Sequence, residues 1–375
     1  MPALYSSRPV RVAFTAMRLA TDKPVRISAG DFTVMHDFVQ SMWRLKQLPA
    51  YAQGLKDVLP ATAGIDPGAP GILMGYDFHL TESGPQLIEI NNNAGGLFMG
   101  AHQWLPQPDL AGWSESLVRR VCRMFPEHWR HIAIMDEQIT EQFMYPEMLA
   151  YAELLRMEGR QVVLLSPEDI HLAADGLYAG GVNGEKLRLD GIYNRHTDFY
   201  LESPQLAHIR SAFESKLVQL NPHPRSYALL GDKGRMVDWW RDGFLEAMLP
   251  SEDVAFIRSV VPETRRLSDM DADVVWDERK NWVFKPAARH GGKGVLLGKG
   301  VSRKRFAELD VADTVMQRFV PASEITLNGE TFRLDIRLFT HGPELVALAG
   351  RAWQGQMTNF RSEGSGWVSI DVGDS

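Results

Sequence analysis

Three side chains in the first quarter of the chain have the types and spacing to hold a hard cation. Glu89 and Asn91 stand two apart in Gln86-Leu87-Ile88-Glu89-Ile90-Asn91, so on an extended strand both project from one face. Upstream, the apolar run Ile72 to Leu80 ends at Thr81-Glu82-Ser83-Gly84-Pro85, a stretch of turn formers, which predicts a hairpin. With Leu80 opposite Gln86, the register brings Asp77 across from Glu89. Two carboxylates and an amide oxygen at one point form an all-oxygen set for Mg²⁺ or Mn²⁺, with water and phosphate oxygens completing the shell. The bland alternative is a solvated hairpin face.

A second group of residues, much later in the chain, could receive phosphate. Trp282-Val283-Phe284-Lys285-Pro286 reads as a short strand with a lysine near its end. It runs into Arg289-His290-Gly291-Gly292-Lys293-Gly294 and then the apolar run Val295-Leu296-Leu297. A glycine-rich loop lets backbone amides approach phosphate oxygens closely, and Lys285 and Lys293 add positive charge. The loop is not a Walker A motif, because that motif needs Ser or Thr directly after its lysine and a helix behind it. Standing alone, Gly291 to Gly294 would be an ordinary turn. Lys293 could equally be a solvated loop charge, and His290 either a phosphate contact or polar filler.

Together these segments resemble the ATP-grasp superfamily, and the resemblance extends along the chain. Gly231-Asp232-Lys233 resembles the family's first lysine segment and Lys285-Pro286 the second. Met316-Gln317-Arg318-Phe319-Val320-Pro321 resembles the hinge that meets adenine through its backbone. Glu324 then falls where the family places its ribose-binding acid. Asp335-Ile336-Arg337, Arg351 and Asn359-Phe360-Arg361 resemble its later arginine-bearing strands. In most such enzymes the metal-binding residues follow these strands, whereas here they precede them. That order is similar to the circularly permuted branch of eukaryotic-type glutathione synthetases and glutathionylspermidine synthases. The glutamate ligand that the glutathione synthetases carry in their glycine-rich loop is replaced here by Arg289, and Asp77 is the candidate substitute.

The resemblance implies an α/β (α+β) chain with a circularly permuted ATP-grasp fold and a βαβ substrate domain. The implied activity is ATP-dependent carboxylate–amine ligation through an acyl phosphate, with ATP and Mg²⁺ (or Mn²⁺) as cofactors. Its substrates would be a small-molecule carboxylate and an amine, with amino acids and short peptides the expected classes. Lys233, Lys285, the loop and the hinge would bind nucleotide. Arg337 and Arg351 would hold the transferred phosphoryl group by bidentate guanidinium contacts, and Arg195 and Arg361 a substrate carboxylate. Alternation in Phe332-Arg333-Leu334-Asp335-Ile336-Arg337 puts Arg333, Asp335 and Arg337 on one face, so a salt-bridged sheet surface competes with that role. A small-molecule kinase on the same fold, and a nucleotide-binding protein without chemistry, are the alternatives. Relatives on this fold are often homodimers.

The elements that must position these residues follow from periodicity. Residues 1–110, with a helical run Phe32 to Leu48 and the acidic hairpin, read as the permuted piece of a larger domain. Residues 111–216 contain a strand at His131-Met135, a helix Tyr145 to Glu158 stopped by Gly159, and a strand at Gln161-Leu165. That order predicts a βαβ unit with parallel pairing, and substrates commonly bind beyond the carboxyl ends of such strands. Gly191-Ile192-Tyr193-Asn194-Arg195 is a further strand ending in an arginine. Residues 217–375 form the nucleotide-binding region, with a helix Met236 to Met248 and a subdomain hinge near 269–277.

Bulk properties are compatible with this reading. The formal net charge of −7 over 375 residues gives no reason to expect nucleic-acid or acidic-membrane binding. No apolar run approaches the ~20 residues needed to span a bilayer. The single cysteine, Cys122, excludes an intramolecular disulfide framework and suits a reducing cytoplasm. The N-terminus lacks a signal-peptide core, so a cytoplasmic location is expected.

Overall fold

The computed structural model describes residues 20–21, 23–100, 115–181, 184–287, 294–356, 358–360 and 362–373. The chain divides into two compact units, each assembled from separated stretches of sequence.

One unit takes in residues 59–74 and 92–227. Its centre is a parallel sheet in the spatial order Gln219–Asn221, Gly191–Asn194, His131–Met135, Gln161–Leu165. The apolar runs of the inner strands are buried, as they must be where a parallel sheet is covered. The helix Tyr145–Met157 connects the last two strands of that order; it starts with a proline in its first turn and gives way to Gly159 at φ +78°. Below the sheet, Ala133, Val163, Ile192, Leu206, Ile209 and Phe213 belong to one core cluster. Gly191 is required by packing. A Cβ there would lie 2.2 Å from the ring of Trp129, whose indole N–H donates to Gln219 at 2.6 Å.

The second unit takes in residues 18–58, 75–91 and 228–375. A six-stranded sheet runs Gly366–Val368, Glu344–Trp353, Glu330–His341, Met74–Thr81, Gly84–Asn91, with Ser323–Leu327 also paired to Glu330–His341. The helix Ala29–Gln47 is capped by Ser28, whose hydroxyl accepts from the Asp31 amide at 2.9 Å. Phe38 of this helix packs edge to face with Phe78 at 5.9 Å, fixing the helix against the acidic hairpin.

A smaller antiparallel sheet in the same unit runs Thr264–Arg266, Thr314–Arg318, Trp282–Pro286, Leu296–Leu297. Trp282, Phe284, Phe306 and Met316 make its core together with Val275. Val275 comes from the helix Ala272–Glu278, whose first amides are capped by Asp271. The stretch 269–277, read from sequence as a subdomain hinge, takes in the end of a short 3-10 turn and most of this capped helix. The helix expected over 236–248 is shorter than its apolar pattern suggests. It spans Gly234–Trp240 and ends at Arg241 in extended backbone (ψ 127°), with Gly243 at φ +76° soon after. Among the described residues no helix is long and apolar enough to cross a membrane.

Candidate functional site

The acidic hairpin contains a β-bulge that sequence did not disclose. At the turn Leu80 faces Pro85 and His79 faces Gln86, so the expected Leu80–Gln86 pairing is one residue off. Phe78 then faces Leu87, but Asp77 faces Glu89, which leaves Ile88 as an extra residue in the second strand. The opposition of Asp77 and Glu89 thus arises from the bulge. Asn91 completes the group: its amide N–H donates to Asp77 Oδ2 at 3.0 Å and to Glu89 Oε1 at 3.1 Å.

The same sheet delivers the arginines. Arg337 donates from Nε and Nη2 to the two oxygens of Asp77, each at 2.6 Å. Arg351 donates from Nη2 to Asp77 at 2.7 Å, and from Nε and Nη2 to Asp335 at 2.7 and 2.9 Å. Asp335 stands directly across the ladder from Arg351. Asp335 and Arg337 share one strand face, as the alternation predicts, and that face is buried. Asp77 accepts four hydrogen bonds in all, about the capacity of a carboxylate. Burial alone would raise its pKa, but the guanidinium groups of Arg337 and Arg351 outweigh burial and hold it below the ordinary carboxylate value.

The two lysines lie in the same unit. Lys285, near the end of its strand, is buried; its ammonium donates to the Gln317 side-chain oxygen at 2.6 Å and to the Ile88 carbonyl at 3.1 Å. Burial depresses its pKa to about 8; Glu89 opposes the shift and Lys233 adds to it. Burial also depresses Lys233, against the pull of Glu89, Asp232 and Asp313. Both lysines therefore feel Glu89, and Lys285 feels Lys233.

Hydrogen bonds thus bring together Asp77, Glu89, Asn91, Arg337 and Arg351, and separately Lys285 and Gln317, with Lys233 coupled to both groups through charge. Gly294 is described at φ +80°, where a glycine is needed. Phe319, just past the strand Thr314–Arg318, is 46% exposed, and its backbone N–H donates to the Asn281 carbonyl. Glu324 is exposed on its strand, opposite Arg333. Among the described residues no hydrogen bond joins Gly294, Phe319 or Glu324 to the acidic cluster. His290, Gly291, Gly292, Lys293 and Arg361 lie outside the described residues, as does Arg289.

Arg195 belongs to the other unit. It follows the strand Gly191–Asn194, and its backbone N–H donates to Met135 O at 2.8 Å. Its buried guanidinium donates from Nη1 to Asn93 Oδ1 at 2.5 Å, to Ala94 O at 3.2 Å and to Tyr193 OH at 3.1 Å. The same loop is held by Glu147, which sequence reasoning missed. Its carboxylate accepts from the amides of Gly96 at 2.7 Å and Leu97 at 2.9 Å. A Cβ on Gly95 would come within 2.8 Å of Met144 and 3.4 Å of the Arg195 side chain. Asp136, just past the strand His131–Met135, has its pKa raised to about 6 by burial, against the opposing charge of Arg195.

The donor set of the acidic cluster fits a hard cation that draws most of its shell from phosphate and water. Among the described residues no group of three or more His, Cys, Asp or Glu side chains could hold a metal by itself. Mg²⁺ characteristically needs only one or two carboxylates beside substrate phosphates. Asn91 directs an N–H to both carboxylates, and turning over its amide presents the oxygen to the same point. Glu89 and Asn91 carry oxygens suited to ligation, while Asp77 accepts from both arginines and from Asn91.

Comparison with solved structures places this architecture in a class. A glutathione synthetase-like effector from Globodera pallida matches 92% of this chain over 88% of its own, with a TM-score of 0.55 and 11% identity. A putative gamma-glutamylcysteine synthetase from Methylobacillus flagellatus KT matches 92% over 89%, with the same TM-score and identity. The fold is ATP-grasp-like. No protein-family model and no curated protein sequence matches the chain.

Proposed function

We propose that the chain is an ATP-dependent carboxylate–amine ligase, forming an amide bond through an acyl phosphate. The observation that carries this reading is one compact unit bearing two depressed-pKa lysines, a Glu-x-Asn pair and two carboxylate-anchored arginines. The ATP-grasp-like fold supports it. The acidic hairpin precedes the lysine and arginine strands in the chain, which we read as circular permutation of that fold.

A carboxylate is a weak nucleophile and a triphosphate repels it, so the chain must supply fixed positive charge around the group in transfer. Lys285 and Lys233 are the side chains for the nucleotide phosphates. Their depressed pKa values mark cations that lack solvation, and phosphate oxygens would restore what burial removed. Glu89 and Asn91 would hold Mg²⁺, which when bound neutralises phosphate charge and orients the oxygens it contacts. Arg337 and Arg351 are pinned by Asp77 and Asp335, so their orientation is set before substrate arrives. Preorganisation of this kind lowers the reorganisation cost at the moment of transfer. The hinge segment with Gln317 and Phe319, and Glu324 beyond it, would meet adenine and ribose. The glycine loop with His290, Gly291, Gly292, Lys293 and Gly294 would cover the phosphates and exclude water from the acyl phosphate.

The βαβ unit is proposed as the substrate-binding part, with Arg195 the contact for a substrate carboxylate and Arg361 a further one. Amino acids and short peptides are the substrate classes to test. The deciding experiment incubates the protein with Mg-ATP and pools of such compounds, following ADP, free phosphate and product masses together. Equal ADP and phosphate with a product lighter than its parts by one water establishes ligation. A product heavier by a phosphoryl group would instead make the protein a kinase.

A further inference from the structure

We infer that Gln317 is a positioning residue for Lys285, acting through its side-chain oxygen together with the Ile88 carbonyl of the facing edge strand. The inference rests on the nucleotide reading for its consequence, but its geometry stands without it. In the small sheet Val283 pairs with Gln317 and Lys285 with Val315, so Gln317 and Lys285 are diagonal cross-strand neighbours on one face. Long side chains in that relation can reach each other. They meet at 2.6 Å, with Gln317 buried at 3% exposure and Lys285 at 9%.

The orientation of the amide is determined at both ends. An ammonium can only donate, so the Gln317 oxygen must face Lys285, and its NH₂ then points at the Met236 sulfur, 3.6 Å away. The second acceptor has a different origin. Gly84–Asn91 is the edge strand of its sheet, an edge presents carbonyls that no neighbouring strand pairs, and the Ile88 carbonyl at the bulge accepts from Lys285 at 3.1 Å. Two fixed acceptors from two sheets use two of the three N–H bonds of the ammonium, which orients the third.

The chemical nature of the acceptor matters as much as its place. A carboxylate at position 317 would orient Lys285 equally well but would cancel its charge as an ion pair. An amide orients the ammonium and leaves the positive charge to act on an anionic ligand. The Gln317 side chain therefore acts on nucleotide affinity through Lys285, separately from the backbone contact with adenine proposed for the hinge.

The test uses the full chain with Gln317→Leu and Gln317→Glu. It measures ATP affinity by calorimetry and, without nucleotide, the acylation rate of Lys285 by mass spectrometry. Loss of a hydrogen bond to a charged group should raise the ATP dissociation constant of Gln317→Leu by about tenfold to a hundredfold. Lys285 should also acylate faster than in the parent protein. Gln317→Glu should protect Lys285 below its parent rate, because the ion pair holds the proton, while still weakening ATP. A purely structural role would lower the melting temperature and leave the Lys285 rate of the folded protein unchanged. An unchanged Lys285 rate in both variants overturns the inference, as does Gln317→Leu binding ATP as tightly as the parent. If the parent protein itself binds no ATP, the nucleotide reading fails and the acylation rates alone decide whether Gln317 holds Lys285. Should Gln317→Leu not fold, Gln317→Glu gives the same decision through protection of Lys285.

Discussion

Asp77 and Arg337, 260 positions apart in sequence, are joined by two hydrogen bonds of 2.6 Å between a whole carboxylate edge and a guanidinium fork. Both side chains are almost sealed from solvent, at 1% and 7% exposure. Bidentate pairs of this kind fix orientation as well as distance. Breaking a buried ion pair by removing one partner leaves the other charge uncompensated, at a cost of about 3–5 kcal/mol. Asp77→Asn should lower the unfolding free energy by that amount, read as a lower urea midpoint with the m-value unchanged. Glu89→Gln, at a half-buried position, should stay within about 1 kcal/mol of the parent but lose the Mg²⁺ dependence of ATP binding. If Asp77→Asn is fully stable and matches Glu89→Gln in its loss of Mg²⁺ dependence, Asp77 is a cation ligand and the anchoring role is wrong.

The same pair makes a prediction about acid. The Asp77 carboxyl is held below its ordinary pKa by Arg337 and Arg351 despite burial. A depressed carboxyl contributes stability that is present above the unfolded value of about 3.9 and is lost as pH falls through the folded value. The stability gap between the parent and Asp77→Asn should hold steady between neutral pH and about pH 5, then shrink below about pH 4. A gap that closes near neutrality would show another group to be titrating.

Lys285 makes the complementary prediction at the alkaline end. Its pKa of about 8 lies below the ordinary lysine value because burial disfavours the ammonium. In the unliganded protein the amine loses its proton as pH rises through that value. Phosphate oxygens nearby would favour the charged form and draw the proton back. ATP binding near pH 8.5 should therefore take up protons, seen as a calorimetric heat that varies with the ionisation enthalpy of the buffer. Lys285→Met should abolish the uptake. Equal heats in all buffers for the parent protein would place Lys285 away from the nucleotide.

Local spacing carried much of this architecture, and long-range pairing did not. The strand His131–Met135, the helix from Tyr145 and the strand Gln161–Leu165 were legible because the strands are short apolar runs and the helix between them is bounded by Pro146 and Gly159. The two-residue spacing of Glu89 and Asn91 was legible for the same reason. The bulge was not, since Leu87-Ile88 carries no glycine or polar residue to mark an extra position. The helix expected to reach Met248 stops at Trp240, where Arg241 turns extended, and Gly243 in left-handed backbone follows inside an otherwise helical pattern. The acids that hold Arg351 lie 16 and 274 positions away, and neither pairing was suggested by alternation, which grouped Asp335 with Arg333 and Arg337. Glu147 looked like one more acid in a helix; its partners are backbone amides, which a sequence does not label.

That last residue and Arg195 share a loop, and the loop offers a test of the substrate side. Arg195 Nη1 donates to Asn93, Ala94 and Tyr193, while Glu147 accepts the amides of Gly96 and Leu97. A guanidinium can serve several acceptors in one plane, whereas a lysine ammonium is a single point at the end of a flexible stem. Arg195→Lys keeps the charge but should lose part of this pattern. We expect faster hydrogen exchange at the amides of residues 94–97, while protection in the strand His131–Met135 is unchanged. With a carboxylate substrate in hand, the same variant should raise its KM by about tenfold, the loss of one charged hydrogen bond, and leave the KM for ATP unaltered. A loop that exchanges faster with no change in that KM would make Arg195 a structural clasp. A raised KM with an unchanged loop would make it a direct substrate contact.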